Sequence, residues 1–308
     1  MLRKLFYLTL LIALLVAGCA PAPLSTGQAN IALKDGLNRE VKLSAPAKRI
    51  VSLAPSITEI LFAIGAGEQI VGRDENSDFP AEVKNIASIG STYKTLNTEA
   101  ILALKPDLVV AANINTPEQV KALEDLGITV YAFNNPKDFN GMFAHLKIAG
   151  QLTGHEKEAA TLVENLSARV NAVEKMTASV ATHPKVFYEL DGTDPLKPWT
   201  SGPGTFIDSM IKMAGGVNIG GVLSGEWAQI SAEELLLQQP DMIILGDGKF
   251  GATVASIKTR AGWSDLKAVQ NNAVFDFNAD LASRPAPRLV DGLEALLGIL
   301  HPELVAVP

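Results

Sequence analysis

GHEKEAATLVENLSARVNAVEKMTASVATHP, running from Gly154 to Pro184, contains no glycine or proline between its two ends. Leu162, Leu166, Val170 and Val173 recur at helical spacing, while Glu156, Lys157, Glu158, Glu164, Arg169, Glu174 and Lys175 supply a polar face. The stretch therefore reads as one long helix. At a rise of about 1.5 Å per residue it reaches roughly 40 Å, more than a crossover helix needs and enough to hold two domains apart. The segments on either side decide between a linking helix and one packed inside a single large domain.

Those segments repeat one another. NTEAILALKPDLVV, from Asn97 to Val110, precedes the helix, and SAEELLLQQPDMII, from Ser231 to Ile244, follows it. Each reads as a capped short helix, a Pro-Asp turn and a buried strand. Aligning Glu99 with Glu233 also aligns Leu102 with Leu236, Pro106 with Pro240, Asp107 with Asp241 and, upstream, Tyr93 with Trp227. The architecture this implies is α/β: an N-terminal lobe over residues 30–153, a rigid linking helix over 154–183 and a C-terminal lobe over 184–308. The cleft between the lobes is the natural place for a ligand.

Ahead of the first lobe, Arg3 and Lys4 precede an apolar run from Leu5 to Ala17, too short to span a bilayer and followed by small residues. This is the pattern of an export signal. The run ends in Leu15-Val16-Ala17-Gly18-Cys19, which resembles the lipobox of bacterial lipoproteins, with Val16 where leucine is more usual. Residues 1–19 then form the signal, Cys19 the lipidation site, and residues 20–29, rich in Pro, Ala, Ser and Gly, a flexible tether. Cys19 is the only cysteine, so disulfide stapling and thiol chemistry are excluded from the processed chain. The formal net charge of −7 becomes more negative once Arg3 and Lys4 are removed, and no basic run exists. Nucleic acid and anionic lipid surfaces are therefore poor partners, leaving the lipid as the membrane contact.

In the first lobe, Asp35-Gly36 between alternating segments signals a hairpin ending near Leu43. Strands follow at Ile50–Leu53, Ile70–Val71, Leu108–Ala111 and Ile128–Tyr131. Helices are predicted with Ile57, Ile60, Leu61 and Ile64 as an apolar face, at Pro117–Leu126 and at Asp138–Leu152. The second lobe predicts strands at Val186–Leu190, Met242–Leu245 and Val274–Phe277, with helices near Thr205–Ala214 and Arg288–Leu300. Alternation of this kind implies parallel sheets covered on both faces, with ligands bound beyond the carboxyl ends of the strands. Two loops after strands carry unusual chemistry: 191–204 holds Trp199, and 278–288 holds Asp280, Arg284 and Arg288.

Enzymatic signatures are missing. The histidines, at 145, 155, 183 and 301, have no metal-ligand spacing, and Ala159 stands where a zincin would need its second histidine after His155-Glu156. There is no Gly-Lys-Ser/Thr phosphate loop and no Gly-x-Ser-x-Gly elbow. Gly246-Asp247-Gly248-Lys249-Phe250-Gly251 does match the dinucleotide fingerprint after a predicted strand, which keeps an exported dinucleotide-dependent enzyme as a remote alternative. Only a short helical stretch, Thr253–Lys258, follows it, and a glycine-rich loop ahead of a small helix is the ordinary explanation.

RIVSLAPSITE (Arg49–Glu59), LKPDLV (Leu104–Val109), TSG (Thr200–Gly202), GGVNI (Gly215–Ile219) and RPAPR (Arg284–Arg288) occur in this order. Together they resemble the periplasmic-binding family that serves ABC importers of cobalamin, haem and iron-siderophores, over nearly the whole of residues 30–302. The resemblance implies two Rossmann-like lobes joined by a single helix and opening only slightly, with no catalysis and no resident cofactor or metal. It is nearest to the cobalamin receptors. It implies Tyr93, Trp199 and Trp227 as aromatic walls, with Asp280 and Arg284 hydrogen-bonding the ligand's periphery. Asn76 departs from that pattern, where an aromatic is expected. Haem is the main competing ligand, with Tyr93 or Tyr188 available to iron, and ferric siderophores come next.

Glu99 and Glu233 each fall two residues after a capping residue, where the helix dipole favours a carboxylate by about 0.3–1 kcal/mol. That accounts for one glutamate better than for a matched pair. The resemblance implies that the pair docks on the two subunits of an ABC permease, itself joined to ATPase subunits, with the receptor a monomer. A module that signals to a membrane sensor is the other non-enzymatic reading.

Overall fold

The computed structural model describes residues 31–305; the export signal, Cys19 and the tether lie outside the described residues. β1 (Ile31–Lys34) and β2 (Glu40–Leu43) form the expected antiparallel hairpin. The first lobe continues through β3 (Ile50–Ser52), α1 (Pro55–Ala63), β4 (Ile70–Arg73), α2 (Thr98–Ala103), β5 (Leu108–Ala111), α3 (Pro117–Glu124), β6 (Val130–Ala132) and α4 (Phe139–Thr153). Its sheet has the order β4-β3-β5-β6 and is parallel throughout.

α5 (Glu156–Thr177) is the linking helix. It is shorter at both ends than the composition of 154–183 suggests, at about 33 Å for its length. Gly154 has a left-handed backbone, φ 78°, and terminates α4, so no helix begins before His155. At the other end the Thr177 hydroxyl donates to the Met213 carbonyl (3.0 Å), and the chain turns toward the second lobe. The buried stripe is Ala159, Val163, Leu166, Val170 and Val173, with Leu162 on its flank rather than in its centre.

The second lobe comprises β7 (Lys185–Asp191), β8 (Trp199–Ser201), α6 (Phe206–Met213), β9 (Val217–Asn218), β10 (Trp227–Gln229), α7 (Ala232–Gln238), β11 (Met242–Leu245), α8 (Val254–Thr259), α9 (Lys267–Gln270), β12 (Val274–Asp276), α10 (Asp280–Ser283) and α11 (Leu289–Leu300). Its sheet order is β10-β8-β7-β11-β12, and β9 pairs with the start of β7. This sheet is mixed, because β8 runs antiparallel to both β7 and β10. Three-residue strands such as β8 and β10 are too short to show a period, so their stretch reads as loop in the sequence.

The internal repeat is a repeat of backbone as well as sequence. β5 beside β3 corresponds to β11 beside β7. Lys105 and Gln239, the residues before the two Pro-Asp turns, are both left-handed, with φ 47°. Asp107 then accepts from the Lys48 and Arg49 amides (2.8 and 3.0 Å), and Asp241 accepts from the Lys185 amide (2.8 Å). In each lobe the aspartate thus pins the start of the neighbouring strand.

Alternate residues of each central strand enter different cores. Leu108 and Val110 join the large cluster that includes α5, while Val109 and Ala111 pack on the other side of the sheet. That large cluster runs without a break from Ile57 and Leu146 through Val163 and Val170 to Met210 and Leu293. Arg169 adds a polar tie, donating to Asp291 (2.6 Å) and to both oxygens of Glu294 (2.9 and 2.6 Å). Leu166→Ala is expected to destabilise the protein by about 2–5 kcal/mol and Leu162→Ala by a fraction of that, read from urea-denaturation midpoints. Equal losses would place Leu162 in the stripe after all.

Candidate functional site: a cleft between the lobes

A cleft of about 920 Å³ opens between the lobes. Its lining comes chiefly from segments beyond the carboxyl ends of strands. In the first lobe these are Ser56 after β3, Asp74 to Asp78 after β4, Asn113 and Ile114 after β5, and Asn134 and Asn135 after β6. In the second they are Lys249 and Phe250 after β11 and the segment Asp280–Pro285 after β12. This is where a parallel sheet presents unpaired backbone and helix starts to a ligand.

Four of the five residues expected at the ligand border the cleft: Tyr93, Trp227, Asp280 and Arg284. Tyr93 is 69% exposed and Trp227 40%, the latter braced edge-on by Phe206 with ring centroids 6.1 Å apart. Trp199 is not among the residues that line the cleft. It begins β8, paired with Asp191 of β7 on one side and Gln229 of β10 on the other, so it belongs to a strand inside the sheet and not to a loop. Tyr188 is also set aside as an iron ligand. It lies in the core, 1% exposed, with its ring under Gly246, and burial, reinforced by Asp247, pushes its phenol far above the usual range.

Asp280 and Arg284 are present at the cleft but already engaged. Glu59, on α1 and almost without solvent contact, receives Arg288 Nε (2.8 Å) and Nη2 (2.5 Å) together with Arg284 Nη1 (3.1 Å). Arg284 Nη1 also reaches Asp78 (2.6 Å), its Nε faces Asp280 (3.3 Å), and Lys249 Nζ donates to the other oxygen of Asp280 (2.6 Å). The Arg288 guanidinium lies over the Phe79 ring, 4.0 Å from its centroid. Glu59, Asp78 and Phe79 belong to the first lobe and both arginines to the second, so this cluster joins the lobes. Burial alone would raise the Asp78 carboxyl, but the hydrogen bond and charge of Arg284 outweigh it and hold the group below its usual value.

The charges that line the cleft are Asp74, Glu75, Asp78 and Asp280 against Lys249 and Arg284, an acidic excess. Asparagines 76, 113, 134 and 135 supply neutral donors and acceptors. His145 contacts Asn134 (3.0 Å), and burial pushes its imidazole down to about 4, so it is neutral at pH 7. Sequence reasoning passed over Glu75, Asn113, Asn134, Asn135 and Phe250, although each lies within a few residues of a strand's carboxyl end. Applying the rule for such loops to the first lobe as strictly as to the second would have found the asparagines.

Glu99 and Glu233 are exposed on the first turns of α2 and α7. Asn97 caps one helix through the Ala100 amide (3.0 Å), and Ser231 caps the other through the Glu234 amide (3.1 Å). Neither glutamate has an ion-pair partner among the described residues. Gly246 of the dinucleotide-like loop is explained by packing, since a Cβ there would stand 2.5 Å from the Tyr188 hydroxyl. The helix after that loop, α8, has only 6 residues. Among the described residues no group of three or more His, Cys, Asp or Glu is arranged to hold a metal, and no helix is long and apolar enough to cross a membrane.

Two lobes of repeated plan, a connecting helix and a ligand-sized cleft between them define a solute-binding protein. The chain belongs to the periplasmic binding protein family, whose model matches residues 50–281, and so to the non-enzymatic, extracytoplasmic substrate-binding components of ABC transporters. It is 31% identical over 307 residues, 96% of this chain and 95% of the other, to an uncharacterized ABC transporter substrate-binding lipoprotein, YvrC, of Bacillus subtilis. Among solved structures it is similar to the periplasmic vitamin B12 binding protein BtuF of Vibrio cholerae, with TM-score 0.72 and 28% identity, covering 85% of this chain and 99% of that one. It is likewise similar to the apo periplasmic heme-binding protein RhuT of Roseiflexus sp. RS-1, with TM-score 0.75 and 26% identity, covering 84% and 99%.

Glu59→Leu leaves two largely buried guanidiniums facing each other with their shared carboxylate gone. A loss of about 3–5 kcal/mol in unfolding free energy is expected from urea titration. Unchanged stability would mean that Glu59 does not hold the lobes together.

Proposed function

We propose that this protein captures cobalamin, or a corrinoid like it, in the cleft and delivers it to an ABC permease. The observation that carries the reading is a cleft walled by an aromatic from each lobe and lined with asparagines, whose two basic groups are both paired with carboxylates while Asp74 and Glu75 leave it acidic overall. A corrin is broad, flat and partly apolar, and its periphery carries neutral amides, which asparagine side chains meet as both donors and acceptors. Haem propionates and catecholate siderophores are anionic and call for unpaired lysine or arginine. Tyr93 and Trp227 are the walls in this reading, and Asp280 and Arg284 set the width of the cleft more than they read the ligand. The likeness to the vitamin B12 binding protein supports the assignment.

Haem is the second reading, favoured by the exposed phenol of Tyr93 and by the likeness to the heme-binding protein. Titrating the folded domain with cyanocobalamin, haemin and ferrichrome separates the two. Submicromolar cyanocobalamin binding that weakens at least tenfold in Trp227→Ala is expected. Haemin binding with a tyrosinate-like spectrum, lost in Tyr93→Phe and without cobalamin binding, would transfer the assignment to haem.

In the same reading, Cys19 carries the lipid that keeps the receptor at the membrane, and Glu99 and Glu233 dock one lobe on each permease subunit. Their exposure, lack of ion-pair partners and matched positions in the repeat support this. An apolar side chain accompanies each, Leu102 and the 79% exposed Leu237. Glu99→Lys with Glu233→Lys is expected to abolish uptake in cells and leave ligand affinity unchanged. Uptake that survives the double reversal would exclude the docking role.

A further inference from the structure

The loop from Gly246 to Gly251, which the sequence offers as a dinucleotide fingerprint, has another use. It is held firmly at its root. Gly246 passes directly over the Tyr188 ring. The next residue, Asp247, is buried, and its Oδ2 accepts from the Gly192 amide (2.8 Å). A single 3-10 turn over Gly248–Phe250 follows, closed by the Phe250 amide to the Asp247 carbonyl (2.8 Å) and the Gly251 amide to the Gly248 carbonyl (3.1 Å). Gly251, at φ 100°, turns the chain back toward α8. The Lys249–Asp280 ion pair ties the tip of the loop to the segment after β12. On this anchored turn Phe250 borders the cleft with 86% of its surface exposed, more than any other large apolar side chain among the described residues.

An aromatic ring exposed to that degree gains nothing from burial in the protein itself. A loop fixed at both its root and its tip presents the ring at little further entropic cost when a ligand covers it. The geometry points to Phe250 as a ligand-contacting wall of the cleft, on the second lobe with Trp227, taking the apolar face or edge of a flat ring system. This rests on the proposed function for the identity of the ligand, though not for the existence of an apolar wall.

The test uses Phe250→Ala, Phe250→Tyr and, as a reporter of the site, Trp227→Ala, each titrated with cyanocobalamin, haemin, ferrichrome and the uncharged apolar dye Nile red. For whichever of the first three binds the wild type, Phe250→Ala is expected to weaken binding about tenfold and Phe250→Tyr to restore it, with the unfolding midpoint unchanged. Wild-type affinity in Phe250→Ala, alongside weakened binding in Trp227→Ala, overturns the wall and leaves the functional reading standing. If none of the three binds, that reading fails and the dye decides. Nile red fluorescence that is enhanced by the wild type and falls in Phe250→Ala sustains the wall. Equal enhancement in both, or none in the wild type, overturns it.

Discussion

Glu59 sits between the lobes with almost no water around it, and two guanidiniums from the other end of the chain converge on its oxygens. Taking three charges out of water costs several kcal/mol for each ion, and the attraction offsets this only while the geometry is kept. Separating the lobes at this point would break the contacts of one carboxylate with both guanidiniums at once. α5 constrains the same motion through its packing, because its buried stripe belongs to a core shared by both lobes and Arg169 fastens it to α11.

The chemistry of the cleft follows from that cluster. Arg284 borders the ligand space, yet its donors are directed at Glu59, Asp78 and Asp280. Lys249 is similarly committed to Asp280. Both basic side chains that border the cleft are thus engaged with carboxylates of the protein, beside aromatic, amide and acidic groups. Under the proposed function, a neutral ligand enters such a surface without an ion pair having to break.

Much of the fold was legible because it is locally encoded. The Pro-Asp turns announce themselves through proline, and the structure adds the reason for the aspartates, which receive the amides that begin the adjacent strands. β5 and β11 fall where continuous apolar runs place them, with unchanged boundaries. The ends of α5 were less legible. Gly154 marks the close of the preceding helix, not the opening of this one, and the helix ends at Thr177, whose hydroxyl reaches the Met213 carbonyl of the second lobe. The strand at Trp199 was not legible, because β8 takes its structure from the strands on either side of it, not from its own three residues.

The sequence by itself determined the two-lobed plan, the linking helix, the family and the candidate docking glutamates, since periodicity, turn residues and internal repetition act within a few turns of chain. Tertiary structure decided which charges remain available. Arg284 and Glu59 are separated by 225 residues, and no local pattern connects them. Their pairing makes an arginine that borders the cleft a tie between lobes as well. The same long-range packing moves Trp199 out of the cleft and brings Phe250 to its edge, because the face a side chain presents depends on what the neighbouring strands and loops leave uncovered.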